Sequence, residues 1–381
     1  MLSPAKRASA MPRSAIREIM ALAAERRDVI HLELGEPDLP TPEHIVTGAF
    51  EAARAGWTRY TPNAGIRSLR EMIAARVSRR VGTPVAPDRI VVTVGAVGAL
   101  FTAVMAVVDA GDEVLIPDPG WPNYESIVHL AGARPVRFTL QPERGFLPDL
   151  DELARKITPA TRAVMLNTPG NPSGAVFPEA IMKGIAELAA RHGIYVISDE
   201  IYEDLVFDGR HVSIAGLGID DQVLVVSGFS KSYAMTGWRL GYLVCPPHLA
   251  AIAATLQEPI TSCASALIQK GGEAALAGPQ ECVDRFRAVY RGRRDVVVEV
   301  LGPTGLLPVV PAGAFYALVD IGRSGQDSMS FAKSLLLAEG VAVVPGITFG
   351  PSSDRFVRIA YTAADRELRT GLERVRRYVL G

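Results

Sequence analysis

The chain has 381 residues, 48% of them apolar, and a formal net charge of −1. That is enough length and apolar content for a large domain with a smaller partner, and the charge balance argues against nucleic acid or a polybasic membrane surface as the main partner. Three unevenly spaced cysteines, Cys245, Cys263 and Cys282, argue against a disulfide framework or structural zinc. The polar N-terminus lacks a signal-like apolar run, no run nears the ~18 apolar residues of a membrane span, and the expected compartment is the reducing cytoplasm.

In chain order, residues 14–27 place Ile16, Ile19, Met20 and Ala23 at helical spacing behind Ser14, a helix cap. Leu34 to Asp38 reads as a strand ending in a turn, where Gly35 either lets a ligand approach the backbone or is a plain turn glycine. The loop Tyr60-Thr-Pro-Asn-Ala-Gly65 precedes a helix from about 66 to 82. Strand Ile90 to Val94 then meets Gly95-Ala96-Val97-Gly98, which opens an apolar helix reaching 110. Free backbone N–H groups at such a helix start suit an anion, though tight strand–helix packing also wants small residues there, and the glycine spacing is not that of a dinucleotide fingerprint.

Short apolar strands at 114–116, 135–140, 163–166, 195–197 and 223–226 alternate with helices at 123–131, 149–157 and 178–191. This is the pattern of an α/β domain built on a mainly parallel sheet. After residue 246 the pattern turns helical, at 247–257, 262–277 and 281–301. Strands at 314–319, 341–344 and 356–359, with helices near 328–339 and 365–379, read as a smaller α+β domain that takes in the N-terminal segment. The expected division is 41–280 for the large domain and 1–40 with 281–381 for the small one, bridged by the 281–301 helix.

Polar residues gather just past the strand ends, where open α/β sheets bind ligands. The densest stretch is Ser227-Gly-Phe-Ser230-Lys231-Ser-Tyr-Ala-Met-Thr-Gly-Trp-Arg239-Leu-Gly241, directly after the strand at 223–226. Lys231, one of six lysines in the chain, stands in small neutral company, where lost solvation lowers its pKa and makes the amine nucleophilic. Arg239, flanked by glycines, suits a phosphate. A Schiff-base lysine beside a phosphate clamp is what pyridoxal 5'-phosphate (PLP) requires. Asp199, off a strand end, suits the protonated pyridine nitrogen, and Tyr202 or Asn171 the ring's 3-oxygen; capping, packing and turn roles are their ordinary alternatives. Trp121 suits stacking on the ring, or a core position. Arg358, inside the apolar run Phe356-Val-Arg-Ile-Ala360, requires an anion if buried, and a substrate carboxylate held bidentately is the natural one.

Together these features resemble the fold-type-I PLP enzymes, specifically the class I/II aminotransferases of the aspartate-aminotransferase-like kind. Gly228-Phe-Ser-Lys231-x-x-Ala-Met-x-Gly-x-Arg239-Leu-Gly241 matches that family's lysine signature, with Tyr60-x-Pro-x-x-Gly65, Asn171-Pro-Ser-Gly, Asp199-x-x-Tyr202 and the Arg358 strand in the family's order. The resemblance implies a seven-stranded large domain, with Lys231 holding PLP as a Schiff base and Arg239 binding its phosphate. It also implies Asp199 on the pyridine nitrogen, Tyr202 and Asn171 on the 3-oxygen, and Trp121 on the ring. Arg358 and the Gly35 backbone would hold the substrate α-carboxylate. Tyr60 would reach the phosphate in a neighbouring subunit, which implies a homodimer. The family often carries hydroxyls at the positions matching Gly95, Val97 and Gly228, facing the phosphate. Here the phosphate would rest on Arg239, Tyr60, the N–H groups of Ala96 and Val97, and Ser230, so weaker PLP retention is expected.

The expected activity is amino-group transfer from an L-amino acid to a 2-oxo acid by ping-pong kinetics, with Lys231 as acid–base residue. A C–S lyase or related synthase of the same fold shares these motifs and is the alternative. The N-terminal segment offers Pro12, Ser14 and Ile16 to the site, which favours a neutral or apolar donor.

Overall fold

The computed structural model describes residues 3–5, 11 and 15–381; Pro12 and the expected cap Ser14 lie outside them. The strands are β1 (Ile30–His31), β2 (Ile90–Val94), β3 (Glu113–Asp118), β4 (Arg134–Thr139), β5 (Thr161–Asn167), β6 (Tyr195–Asp199), β7 (Val223–Gly228), β8 (Leu240–Val244), β9 (Tyr316–Asp320), β10 (Val341–Ala342), β11 (Val344–Pro345) and β12 (Phe356–Ala360). The helices are α1 (Ala15–Ala24), α2 (Glu43–Arg54), α3 (Arg67–Val81), α4 (Gly95–Val107), α5 (Asn123–Leu130), α6 (Leu150–Lys156), α7 (Glu179–His192), α8 (Pro247–Thr261), α9 (Ala266–Ala277), α10 (Glu281–Leu301), α11 (Ser328–Glu339) and α12 (Asp365–Leu380).

Seven strands form one sheet in the order β2-β8-β7-β6-β5-β3-β4. The runs of β6 and β7 are buried almost throughout, as strands covered on both faces must be. Neighbours from β7 to β4 pair in parallel, and β8 runs antiparallel to both β2 and β7. The C-terminal ends of β2, β5, β6 and β7 therefore emerge at one edge. Sequence alternation foresaw the parallel strands and the helices between them, but not β8. Chemistry of the helix ends matches their lengths: α3 stops at Gly82 and α7 at Gly193, both left-handed, at φ 77° and 64°. Asp149 caps α6 through the N–H groups of Asp151 and Glu152.

A second, antiparallel sheet has the order β11-β12-β9, and β1 pairs in parallel with β10 through Ile30 and Val341. Val319, Val357, Ile359, Leu335 and Leu372 are fully buried against it. Among the described residues no helix is long and apolar enough to cross a membrane.

Two expectations need correction. Residues 34–38 are not a strand; the strand ends at His31. Side chains meet the backbone here instead: the carbonyls of Leu34 and Gly35, and of Glu33 just before them, accept from Thr362, Lys231 and Arg358. The single strand expected at 341–344 is two, β10 pairing with β1 and β11 with β12.

Candidate active site

At the shared strand edge the chain encloses a cavity of about 470 Å³. Gly35, Ala96, Val97, Trp121, Asn171, Asp199, Tyr202, Ser230, Lys231, Arg239 and Arg358 all line it. These residues come from loops after β2, β3, β5, β6 and β7, the segment after β1, and β12. Tyr60 does not line it and is 89% exposed.

Lys231 follows β7 and points its amine at the Gly35 carbonyl, Nζ to O 2.6 Å. Burial pushes the amine down to about 8, with the neighbouring Arg358 adding to this and Glu36 opposing it. Asp199 ends β6. Its carboxylate accepts from the Tyr124 hydroxyl at 2.9 Å and from the Ile201 N–H at 3.2 Å. Burial still raises it to about 6. The Tyr202 phenol is buried, which holds its pKa well above the ordinary value and keeps it protonated; its hydroxyl lies 2.9 Å from that of Tyr316.

Arg358 projects from β12 and is 2% exposed. Nη2 donates to the Glu33 carbonyl at 2.6 Å and Nη1 to Asn171 Oδ1 at 3.2 Å. Nε has no hydrogen-bond partner. The Tyr316 ring lies against the guanidinium, 4.5 Å from its carbon to the centroid. Arg239 takes a left-handed backbone, φ 57°, and Nη1 donates to the Thr236 carbonyl at 2.8 Å. Among the described residues no carboxylate lies within ion-pairing distance of Lys231, Arg239 or Arg358.

The reading of Gly228 as a missing hydroxyl that faces a phosphate needs correction. A side chain at Gly95, where φ is +72°, would run into the Arg239 guanidinium. One at Gly228 would point at the Gly241 Cα and Leu240 carbonyl, each 2.9 Å from its Cβ, inside the β7–β8 pair. Gly228 serves close packing, Gly95 leaves room for the Arg239 guanidinium, and Val97 lines the cavity.

Of the lining residues that escaped the sequence, three tie the site together. Tyr124 holds Asp199 and meets Trp121 edge-on, with centroids 5.6 Å apart. Asn167 donates to the Asp199 carbonyl at 3.0 Å and accepts from the Asn171 N–H at 2.7 Å, joining two loops. Tyr316 joins Tyr202, Gly35 and Arg358. Their only sequence signal was position: Tyr124 and Asn167 follow or end strands that reach the same edge.

The arrangement offers a nucleophilic amine, two buried or clamped guanidiniums and one buried carboxylate in a single cavity. Comparison with known proteins places it in a family. The family model for aminotransferase class I and II matches residues 27–375. An aspartate/prephenate aminotransferase of Thermus thermophilus is 40% identical over 99% of this chain and 98% of its own. An arginine–pyruvate transaminase of Pseudomonas aeruginosa is 38% identical over 93% of this chain and 91% of its own. The structure of a Thermus thermophilus aspartate aminotransferase with maleate superposes with a TM-score of 0.95 and 40% identity, covering 99% of this chain and 100% of that one. The chain belongs to the class I and II aminotransferases, a PLP-using family, and is an aminotransferase.

Proposed function

We propose that the cavity holds PLP and that the enzyme moves an amino group from an L-amino acid with a neutral or apolar side chain to a 2-oxo acid, by a ping-pong mechanism. The observation that carries this reading is three cations, Lys231, Arg239 and Arg358, that have no ion-pair partner among the described residues and share one cavity with the buried carboxylate of Asp199. A phosphate, a substrate carboxylate and a ring nitrogen cation supply the missing charges. The space that Gly95 leaves is filled by the Arg239 guanidinium beside the start of α4, so the arginine and the Ala96 and Val97 N–H groups face one anion.

Each side chain then has a task. Lys231 binds the cofactor covalently, and Arg239, Ser230 and the α4 start hold its phosphate. Asp199 pairs with the ring nitrogen and is held by Tyr124. Tyr202 and Asn171 donate to the 3-oxygen, and Trp121 covers the ring. Arg358, with Asn171 and the Gly35 backbone, orients the substrate α-carboxylate. Once bound, the cofactor supplies an electron sink for charge developing at the substrate Cα. Lys231 Nζ, when free, would take the Cα proton and return it, as general base and then acid. An amine pushed down to about 8 has a larger free-base fraction near neutrality than an ordinary lysine, which favours this step.

The donor class rests on the lining. Among the described residues that line the cavity, Lys231, Arg239 and Arg358 are the only lysines and arginines, and all three have tasks. Ile16 and Met20 of α1 line the cavity, with Glu33 and Glu36 on the same wall, which disfavours an acidic side chain. A panel of amino donors against 2-oxoglutarate and pyruvate tests this. Leucine, methionine, phenylalanine and alanine should outpace aspartate in kcat/KM; a clear preference for aspartate would overturn the donor class.

The same reading makes the enzyme a homodimer in which Tyr60 serves the neighbour's phosphate. Tyr60 is 89% exposed, and Phe50, Trp57 and Ile260 are exposed apolar side chains on the α2 end and α8, a pattern that suits an interface. The division into a large part, 41–280, and a small part, 1–40 with 281–381, is supported by the β1–β10 pairing of the two ends. Three unpaired cysteines suit the cytoplasm.

A further inference from the structure

Asn167 ends β5 and is 5% exposed. Its side-chain amide is engaged by two backbone groups. Oδ1 accepts from the Asn171 N–H at 2.7 Å, and Nδ2 donates to the Asp199 carbonyl at 3.0 Å. A peptide N–H only donates and a peptide carbonyl only accepts, so these partners fix which way the amide faces. β5 and β6 pair at the same level, with Asn167 opposite Asp199. The Asn167 side chain thus carries the register of the sheet out to the loop that holds Asn171.

The two ends of the amide are not equally replaceable. The Asp199 carbonyl has a second donor, the Thr168 N–H at 3.2 Å. The Asn171 N–H is buried with Asn167 as its acceptor, and a buried donor left without an acceptor is costly. Loss of the Asn167 amide therefore falls on Asn171. The Asn171 side chain is oriented as well: its Oδ1 accepts from Arg358 Nη1 at 3.2 Å, which leaves its amide hydrogens for another acceptor.

We propose that Asn167 is a positioning residue that keeps Asn171 at a fixed spacing from Asp199, so that the Asn171 amide meets the cofactor's 3-oxygen while Asp199 meets the ring nitrogen. This role rests on the reading that PLP fills the cavity with Asn171 on its 3-oxygen. The 3-oxygen and the ring nitrogen belong to one rigid ring, so both contacts form together only if their protein partners keep that spacing. Asn167 spans the two partners in two hydrogen bonds.

Titration of the visible absorbance band of the full chain loaded with PLP tests this. A donor to the 3-oxygen draws charge from it and weakens its hold on the proton shared with the lysine-bound nitrogen. Losing that donor raises the pH at which the proton leaves. Asn171→Ala should raise this midpoint, and Asn167→Ala should raise it too, by about 0.3 to 1, the reach of part or all of one neutral hydrogen bond. On an Asn171→Ala background, Asn167→Ala should add nothing. On a Tyr202→Phe background it should add its full effect, because Tyr202 is held by Tyr316 rather than by Asn167. General loosening of the site would add on both backgrounds, and direct contact of Asn167 with the cofactor would add on the Asn171→Ala background. Either result, or an unmoved midpoint in Asn167→Ala, would overturn the proposal. Asn167→Ser, which leaves a smaller gap, is read in place of an Asn167→Ala that fails to fold, and should move the midpoint the same way. Absence of the band in the wild type would overturn the PLP reading, and a midpoint unmoved by Asn171→Ala the placement of Asn171, each taking this role with it. A band that moves in Asn171→Ala confines any failure to Asn167.

Discussion

Asp199 carries a carboxylate where water is excluded, and the protein bears the cost until a cation faces it. Its pKa rises from 3.8 in the open chain to about 6 in the fold. Between those values the folded state keeps a proton that the unfolded state releases. Stability is therefore fully present below pH 4 and lost as pH rises through 6. Asp199→Asn removes the charge and keeps an acceptor for Tyr124. In cofactor-free protein this variant should gain roughly 1–3 kcal/mol at pH 7.5 and little at pH 4, read by urea unfolding, while losing transaminase activity. An unchanged unfolding midpoint at pH 7.5 would mean that Asp199 is not held as a desolvated charge.

Elements decide what can be read locally. Lys231, Arg239, Asn171 and Asp199 stand in short motifs just past strand ends, so their gathering follows once the strands are aligned. β8 was invisible because Leu240-Gly-Tyr-Leu-Val244 follows the lysine stretch directly and includes a glycine. That glycine is needed: a side chain at Gly241 would strike the Gly95 and Ala96 backbone at the start of α4. The segment at 34–38 misled because it continues directly from the short strand β1, while the carbonyls of Glu33, Leu34 and Gly35 serve Arg358, Thr362 and Lys231. Tyr124 and Tyr316 lie 75 and 114 residues from Asp199 and Tyr202, which they bond, so no local pattern announces them. The close approach of β7 to β8 gives a direct test of the corrected role of Gly228. Gly228→Ser should destabilise the protein by about 1–3 kcal/mol, as overpacking does, without slowing PLP loss on dialysis. A serine variant that is as stable and retains PLP longer would restore the view that this position faces the phosphate.

At the scale of the whole molecule, and among the described residues, the cavity of one chain is lined by every catalytic, cofactor-binding and substrate-binding residue expected from the sequence except Tyr60. A shared site makes a distinctive expectation. Lys231→Ala should be inactive and Tyr60→Ala weakened in PLP binding. Mixed and refolded together, they should yield a hybrid in which one site pairs the intact Lys231 of one chain with the intact Tyr60 of the other. At limiting PLP the mixture should exceed the summed activity of the two parents; activity no greater than that sum would contradict a site completed by Tyr60 from a neighbour.

All of these roles depend on Lys231 being the lysine that bears the cofactor. Purified protein supplied with PLP, reduced with borohydride and digested should carry the pyridoxyl mass on the peptide containing Lys231, with the label lost in Lys231→Ala. A label on Lys156, Lys183, Lys270 or Lys333 instead, or no label on a protein that still transaminates, would contradict it.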